Sequence, residues 1–196
     1  IMSAWIEAES EGLKDGSDFG LDQIISDCLL LLDGGAETTR TVIARSMLHL
    51  ANSPTQWELL KKGSDLEIAV EEFIRYVTPI HNMCRVATED YFIHGKTIRK
   101  GDQVVLMYSS ANRDSEKFNN PELLDVTRDP NHHIAFGFGT HFCLGASLAR
   151  LEIKLFYEQL INRVKSFALA GDPVEMPNAF VYGLASCPMD LTPETS

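Results

Sequence analysis

The chain has no C-x-x-C pair, no excess of positive charge, no long apolar run and no internal repeat. Each absence removes a class. Four scattered cysteines, Cys28, Cys84, Cys143 and Cys187, fit neither a zinc knuckle nor a dense disulfide framework. With 28 Asp+Glu against 17 Lys+Arg and a net charge of -11, a general nucleic-acid binder is not expected. The longest uninterrupted apolar run, Cys28-Leu29-Leu30-Leu31-Leu32, is far short of the roughly 20 residues a membrane span needs. No charged leader precedes an apolar stretch at Ile1-Met2-Ser3-Ala4-Trp5, so no signal peptide is expected and the chain reads as cytoplasmic. What remains is a 196-residue chain of ordinary globular composition, 44% apolar and 23% charged.

Periodicity predicts a mainly α fold with a minor antiparallel β part. After a polar stretch from Glu9 to Phe19, a helical pattern runs from Leu21 to Ala51, about 45 Å at 1.5 Å per residue. Asn52-Ser53-Pro54 ends it, because proline disfavours helix at the residue before it. Shorter helices are expected over Gln56–Lys62 and Leu66–Tyr76. Runs at Cys84–Thr88, Tyr91–Ile93, Thr97-Ile98 and Gln103–Tyr108, punctuated by His94-Gly95 and Lys100-Gly101, predict one small antiparallel sheet. The Asn-, Asp- and Pro-rich segment Asp114–Ile134 is irregular, and loops of that length are usually functional. A helix over Leu144–Val164 follows, with Leu144, Leu148, Leu151 and Leu155 as its apolar stripe, then strand-like pieces at Phe180–Leu184 and Met189–Leu191.

The informative segment is Phe136-Gly137-Phe138-Gly139-Thr140-His141-Phe142-Cys143-Leu144-Gly145. Glycine admits conformations and close approaches that a Cβ blocks. A cysteine at a helix N-terminus is favoured as thiolate. A flat ligand with a metal bound by an axial cysteine, as in haem, needs both. A lone cysteine beside a glycine turn is otherwise ordinary core. The pattern Phe-x-x-Gly-x-x-x-Cys-x-Gly, carried by Phe136, Gly139, Cys143 and Gly145, resembles the haem-binding signature of the cytochrome P-450 family. Three further constellations resemble that family. Gly34-Gly35-Ala36-Glu37-Thr38 is similar to its oxygen-activation motif; two interior glycines and a Thr38 hydroxyl reaching back to Gly34 predict a local opening of the helix. Glu72-Phe73-Ile74-Arg75 is similar to its Glu-x-x-Arg pair, and Arg128 stands where a third charged member belongs.

The resemblance implies the C-terminal, haem-binding half of one cytochrome P-450 domain over residues 1–196, with the N-terminal half absent. It implies haem b as cofactor, with Cys143 as the iron ligand and Phe136, Gly137, Gly145 and Gly35 around it. His141 and Arg85 match propionate ligands, and His133 is a further candidate. Glu37 and Thr38 become the acid and alcohol that supply protons; Glu72, Arg75 and Arg128 become a structural network. Ala36, Ile80, Met83, Phe180, Val181 and Leu184 would face substrate. The implied activity is insertion of one atom of O2 into a C–H bond of a lipophilic molecule. The segments Glu71–Ile80 and Tyr108–Asp114 resemble the soluble bacterial hydroxylases of the steroid side chain, which suggests cholest-4-en-3-one and its terminal methyl. Having neither an iron–sulfur spacing nor a flavin motif, the chain would need a ferredoxin and an NAD(P)H-dependent reductase, with Arg150 and Lys154 as a basic docking patch. Two rivals stand beside this reading. One is a haem-binding sensor or carrier without turnover; the other is a cysteine-nucleophile hydrolase using Cys143 with His141 or His133.

Overall fold

The computed structural model describes residue 7 and residues 20–195, so the readings made for Ile1–Trp5 and Glu9–Phe19 lie outside the described residues. Two compact units are distinguished, 1–37 and 38–196. The first helix, α1 (Leu21–Ala51), belongs to both. It has the boundaries expected from the sequence and runs α-helical throughout. The opening expected at Gly34-Gly35-Ala36-Glu37-Thr38 is therefore not present; two glycines in 31 residues weaken a helix without having to break it. In the first unit Leu29, Leu30 and Leu32 are exposed, and among the described residues no helix is long and apolar enough to cross a membrane.

The second unit is built on α2 (Pro54–Lys61), α3 (Leu66–Val77) and a helix after the cysteine loop, α5 (Ala146–Arg163). Pro54 opens α2 where its missing N–H costs nothing. The Asp65 carboxylate caps α3 by accepting from the N–H groups of Glu67 and Ile68. Its far end turns at Thr78, a β-branched residue in the left-handed region (φ 44°). Two buried hydrogen bonds hold it there: the Thr78 hydroxyl donates to the Arg75 carbonyl at 2.6 Å and accepts from Asn112 Nδ2 at 2.9 Å. Between α3 and α5 the rings of Phe73 and Tyr157 stack at 4.5 Å, in a core that also takes Val42 and Leu50 from α1, Trp57 and Ile153.

Helix α5 begins at Ala146, two residues later than expected, and its inward face is Ala146, Ile153 and Tyr157. Leu144, Leu148, Leu151 and Leu155, its apolar stripe, are exposed. Helical spacing identifies a face but not which side of the helix that face meets.

Among the described residues the β part is four two-stranded antiparallel ladders, and the runs expected to make one small sheet form two of them. Strand β1 (Asn82–Val86) pairs with β4 (Gln103–Met107), from Asn82 opposite Met107 to Val86 opposite Gln103. Between them β2 (Tyr91–Ile93) and β3 (Lys96–Ile98) make a hairpin. His94 and Gly95, both at positive φ (47° and 75°), form its two-residue turn, which matches the right-handed strand twist. A short helix, α4 (Tyr108–Ala111), then leads into an irregular segment that holds no further helix or strand before the cysteine loop. After α5, β5 (Val164–Leu169) pairs with β8 (Met189–Pro193), and β6 (Val174–Glu175) with β7 (Leu184–Ser186).

Candidate active site: a cysteine loop and its supports

The loop is closed by its own main chain. The Cys143 N–H donates to the Phe136 carbonyl at 2.9 Å, and the Gly137 N–H to the Ile134 carbonyl at 2.9 Å. Gly137 (φ 73°) and Gly139 (φ 70°) take backbone conformations that side chains resist, and a single 3-10 turn covers Gly139–His141. Gly145 (φ -87°) is not of that kind: a Cβ there meets nothing within 4 Å, so no steric demand within the described residues requires glycine. Cys143 lies three residues ahead of the first helical residue rather than in the first turn, and its carbonyl accepts from the Ala146 N–H. It is a free, exposed cysteine flanked by exposed apolar side chains, Phe138 at 90% and Leu144 at 91%.

Beneath the loop Glu72 collects five donors. Arg75 reaches it through Nε (2.7 Å) and Nη2 (2.9 Å), and Arg128 through Nε (3.0 Å). The Asp125 N–H and Asn131 Nδ2 complete the set at 2.9 and 3.0 Å. Glu72 and Arg75 are 0% exposed. Both arginines spend their remaining donors on main-chain carbonyls: Arg75 on Asn112, Pro121 and Leu123, Arg128 on Asn119, Asn120 and Leu123. Asn112 carries the connection onward, since its Oδ1 accepts from the Ile134 N–H at 2.8 Å.

The neighbouring Glu71 gathers a second cluster. Arg150 on α5 grips both its oxygens (2.5 Å to Oε1 and 3.0 Å to Oε2), and His133 Nε2 lies 2.9 Å from the same Oε2. Burial alone would raise the Glu71 carboxyl; the hydrogen bonds from His133 and Arg150 more than offset this and lower it to about 2. This corrects two expectations. His133 is buried against Glu71 rather than offered to a propionate. Arg150 and Lys154 are not a free basic patch, because each is ion-paired, Arg150 with Glu71 and Lys154 with Glu67.

The remaining candidates are placed as follows. His141 and Arg85 are exposed, Arg85 on β1 with Nη1 donating to the Cys84 carbonyl. The two segments expected to face substrate are zipped together although about 100 residues apart in sequence. Ile80 bridges Val181, the His81 N–H donates to the Phe180 carbonyl, and the Tyr182 N–H to that of Pro79. Met83 and Phe180 are exposed, Ile80 and Val181 half-buried; Leu184 is buried core and so does not belong with them. Gly35, Ala36 and Glu37 lie in the first unit and Thr38 in the second. A groove of about 480 Å³ between α3 and α5, lined by Glu67, Glu71, Arg150 and Lys154 among others, holds none of the residues predicted for haem, proton delivery or substrate.

The chain matches the family model described as Cytochrome P450 over residues 54–188. It belongs to the cytochrome P450 family. Among curated P450 relatives it is 43% identical over 183 residues to the steroid C26-monooxygenase of Mycobacterium tuberculosis (strain CDC 1551 / Oshkosh), covering 91% of this chain and 49% of the relative. It is 46% identical over 150 residues to the biotin biosynthesis cytochrome P450 of Bacillus subtilis (76% of this chain, 38% of the relative). The structure superposes on the tirandamycin C-bound P450 monooxygenase TamI with a TM-score of 0.88 at 36% identity, covering 97% of this chain and 48% of that one. A Bacillus megaterium chain solved in complex with testosterone gives 0.83 at 34% (94% and 52%). The chain spans about half the length of the curated relatives it matches. The cofactor of P450 proteins is a haem whose iron is held by a cysteine thiolate.

Sequence reasoning missed Asn112, Glu71 as the partner of His133 and Arg150, and Arg45. The Arg45 guanidinium is buried over the Tyr182 ring, 3.1 Å from its centroid, and pairs with Glu175. The only signal for these was a charged or polar residue inside an otherwise apolar helical face, as at Arg45 between Val42 and Leu48.

Proposed function

We propose that this chain is the haem-binding part of a P450 monooxygenase in which Cys143 supplies the thiolate ligand of haem b. One observation carries the reading: in a chain of this family, the signature cysteine is exposed on a loop tied to Phe136, and the same loop carries the exposed apolar side chains of Phe138, Phe142 and Leu144. Such a surface fits a flat apolar macrocycle, whose cover would remove those side chains from water. The open space beside Gly145 is consistent with the same occupant. When bound, haem supplies the redox centre at which dioxygen is activated. The chain's own residues do the rest. His141 and Arg85 offer hydrogen-bond donors to the two propionates. Glu37 and Thr38 hold and pass the protons that turn one oxygen atom into water, an assignment that rests on the motif Gly34-Gly35-Ala36-Glu37-Thr38. Ile80, Met83, Phe180 and Val181 give substrate an apolar wall, which suits a lipophilic molecule; Ala36 is a substrate-facing candidate on its motif alone. The hydrolase rival loses support because the chain belongs to the cytochrome P450 family.

For the substrate we propose a steroid, hydroxylated at the side-chain terminus (C26) as in cholest-4-en-3-one. Support comes from the relatives named steroid C26-monooxygenase at 43% and 41% identity. Linalool 8-monooxygenase of Pseudomonas putida, at 37%, marks the nearby alternative of a terpene. Electrons are proposed to come from NAD(P)H through a reductase and a ferredoxin, in the cytoplasm. The test uses the full-length protein. Its reduced carbon monoxide spectrum should carry the thiolate-ligand band and lose it in Cys143→Ser; survival of the band in that variant sinks the assignment. Cholest-4-en-3-one should shift the haem spin state where linalool and a fatty acid do not. Thr38→Ala should uncouple electron consumption from product and release peroxide, whereas a sensor or carrier would be indifferent to it.

A further inference from the structure

The Glu72 carboxylate itself holds the chain as far as Asn131, and Asn112 takes the Ile134 N–H; the His133 side chain is fastened by Glu71. The two side chains that Glu71 binds also flank one ring. The Arg150 guanidinium lies 4.5 Å from the centroid of Phe136, and the His133 ring is centred 5.9 Å from it. The carbonyl of the same Phe136 accepts the Cys143 N–H at 2.9 Å. A continuous path of contacts therefore runs from a carboxylate on α3, through two cations or donors and an aromatic ring, to the amide of the cysteine.

We propose that Glu71 is a positioning residue for the haem ligand: by fixing Arg150 and His133 about Phe136, it sets where the Phe136 carbonyl stands and hence how Cys143 presents its sulfur. This rests on the haem-thiolate reading above. An exposed ion pair would not do this, being worth little. The Glu71 pair differs in kind: it is bidentate, partly sheltered, and shares its carboxylate with a His133 side chain only 2% exposed. The adjacent pair, Lys154 with Glu67, joins the same two helices through a single bond to a carboxylate 77% exposed. It is the built-in control.

The experiment uses the full-length haem-loaded enzyme and two readouts: the share of the reduced carbon monoxide complex in its thiolate form, and the rate of haem transfer to apomyoglobin. Partners that orient a metal ligand typically change metal affinity about 10- to 100-fold, so Glu71→Gln should speed haem loss by about tenfold and lower the thiolate share. Glu71→Asp should restore part of both, and Glu67→Gln should behave as wild type. Should Glu71→Gln fail to accumulate, Glu71→Gln with Arg150→Met removes the unpaired cation and should show the same fast haem loss. Haem loss within about twofold of wild type in either variant, or an equal change in Glu67→Gln, overturns the proposal. A wild-type enzyme with no thiolate band overturns instead the reading beneath it.

Discussion

Removing the Glu72 side chain should be among the most damaging single changes available to this protein. Glu72→Ala deletes the acceptor of five hydrogen bonds and leaves Arg75, 0% exposed, and Arg128, 9% exposed, without their shared carboxylate. Breaking a buried ion pair by removing one partner costs about 3–5 kcal/mol, because the remaining charge is stranded away from water. Against a typical stability of about 5–15 kcal/mol, that is roughly a fifth of the total or more. With a urea slope of ~2 kcal/mol per molar, the unfolding midpoint should fall by about 1.5–2.5 M. The full-length protein at fixed haem saturation is the right sample, since bound ligand adds to apparent stability. Arg128→Met provides the internal comparison. It removes a charged hydrogen bond to Glu72 worth about 1.5–3 kcal/mol, and three bonds to exposed main-chain carbonyls that water can replace, but leaves one carboxylate facing one arginine, so its loss should be the smaller. A midpoint shift under about 0.25 M for Glu72→Ala, the size of an ordinary surface change, would refute the reasoning. So would the reverse order of the two variants.

Two further outcomes are expected. Gly137→Ala, at φ 73°, should destabilise by about 1–2 kcal/mol in thermal melts, whereas Gly145→Ala should leave the melting of the haem-free chain unchanged and disturb only haem binding. Burial, then the charges of Arg45 and Arg113, lower His49 from 6.5 to about 4. Between those values the unfolded chain binds the proton and the folded chain does not, so stability should fall as pH drops from about 6.5 towards 4. His49→Gln should flatten that slope, and an unchanged urea midpoint across this window in wild type would show that His49 is not neutral when folded.

What could be read from the residues was whatever local chemistry fixes. Asn52-Ser53-Pro54 gave the end of α1, the His94-Gly95 pair gave the hairpin turn, and the spacing from Phe136 to Gly145 gave the cysteine loop. What could not be read was which side of an element meets the core. The leucines of α5 satisfy helical spacing yet are exposed, while a face with Ala146 and Tyr157 is buried. Nor could long-range partners be read: Glu71 meets residues 62 and 79 positions away, and nothing local marks Arg45 as the partner of Glu175, 130 positions on. Side chains of like charge along a helix look alike until the fold decides which are buried.

The stretch between α4 and the cysteine loop has a course but no regular structure, and Arg75 and Arg128 hold it by oxygens that every amino acid possesses. Its route is thereby made independent of most of its own side chains. Substitutions at Asn119, Glu122 and Leu123 should be absorbed with little consequence, while the two guanidinium groups, one on α3 and one within the stretch itself, govern its trajectory much as a pair of pins governs a thread.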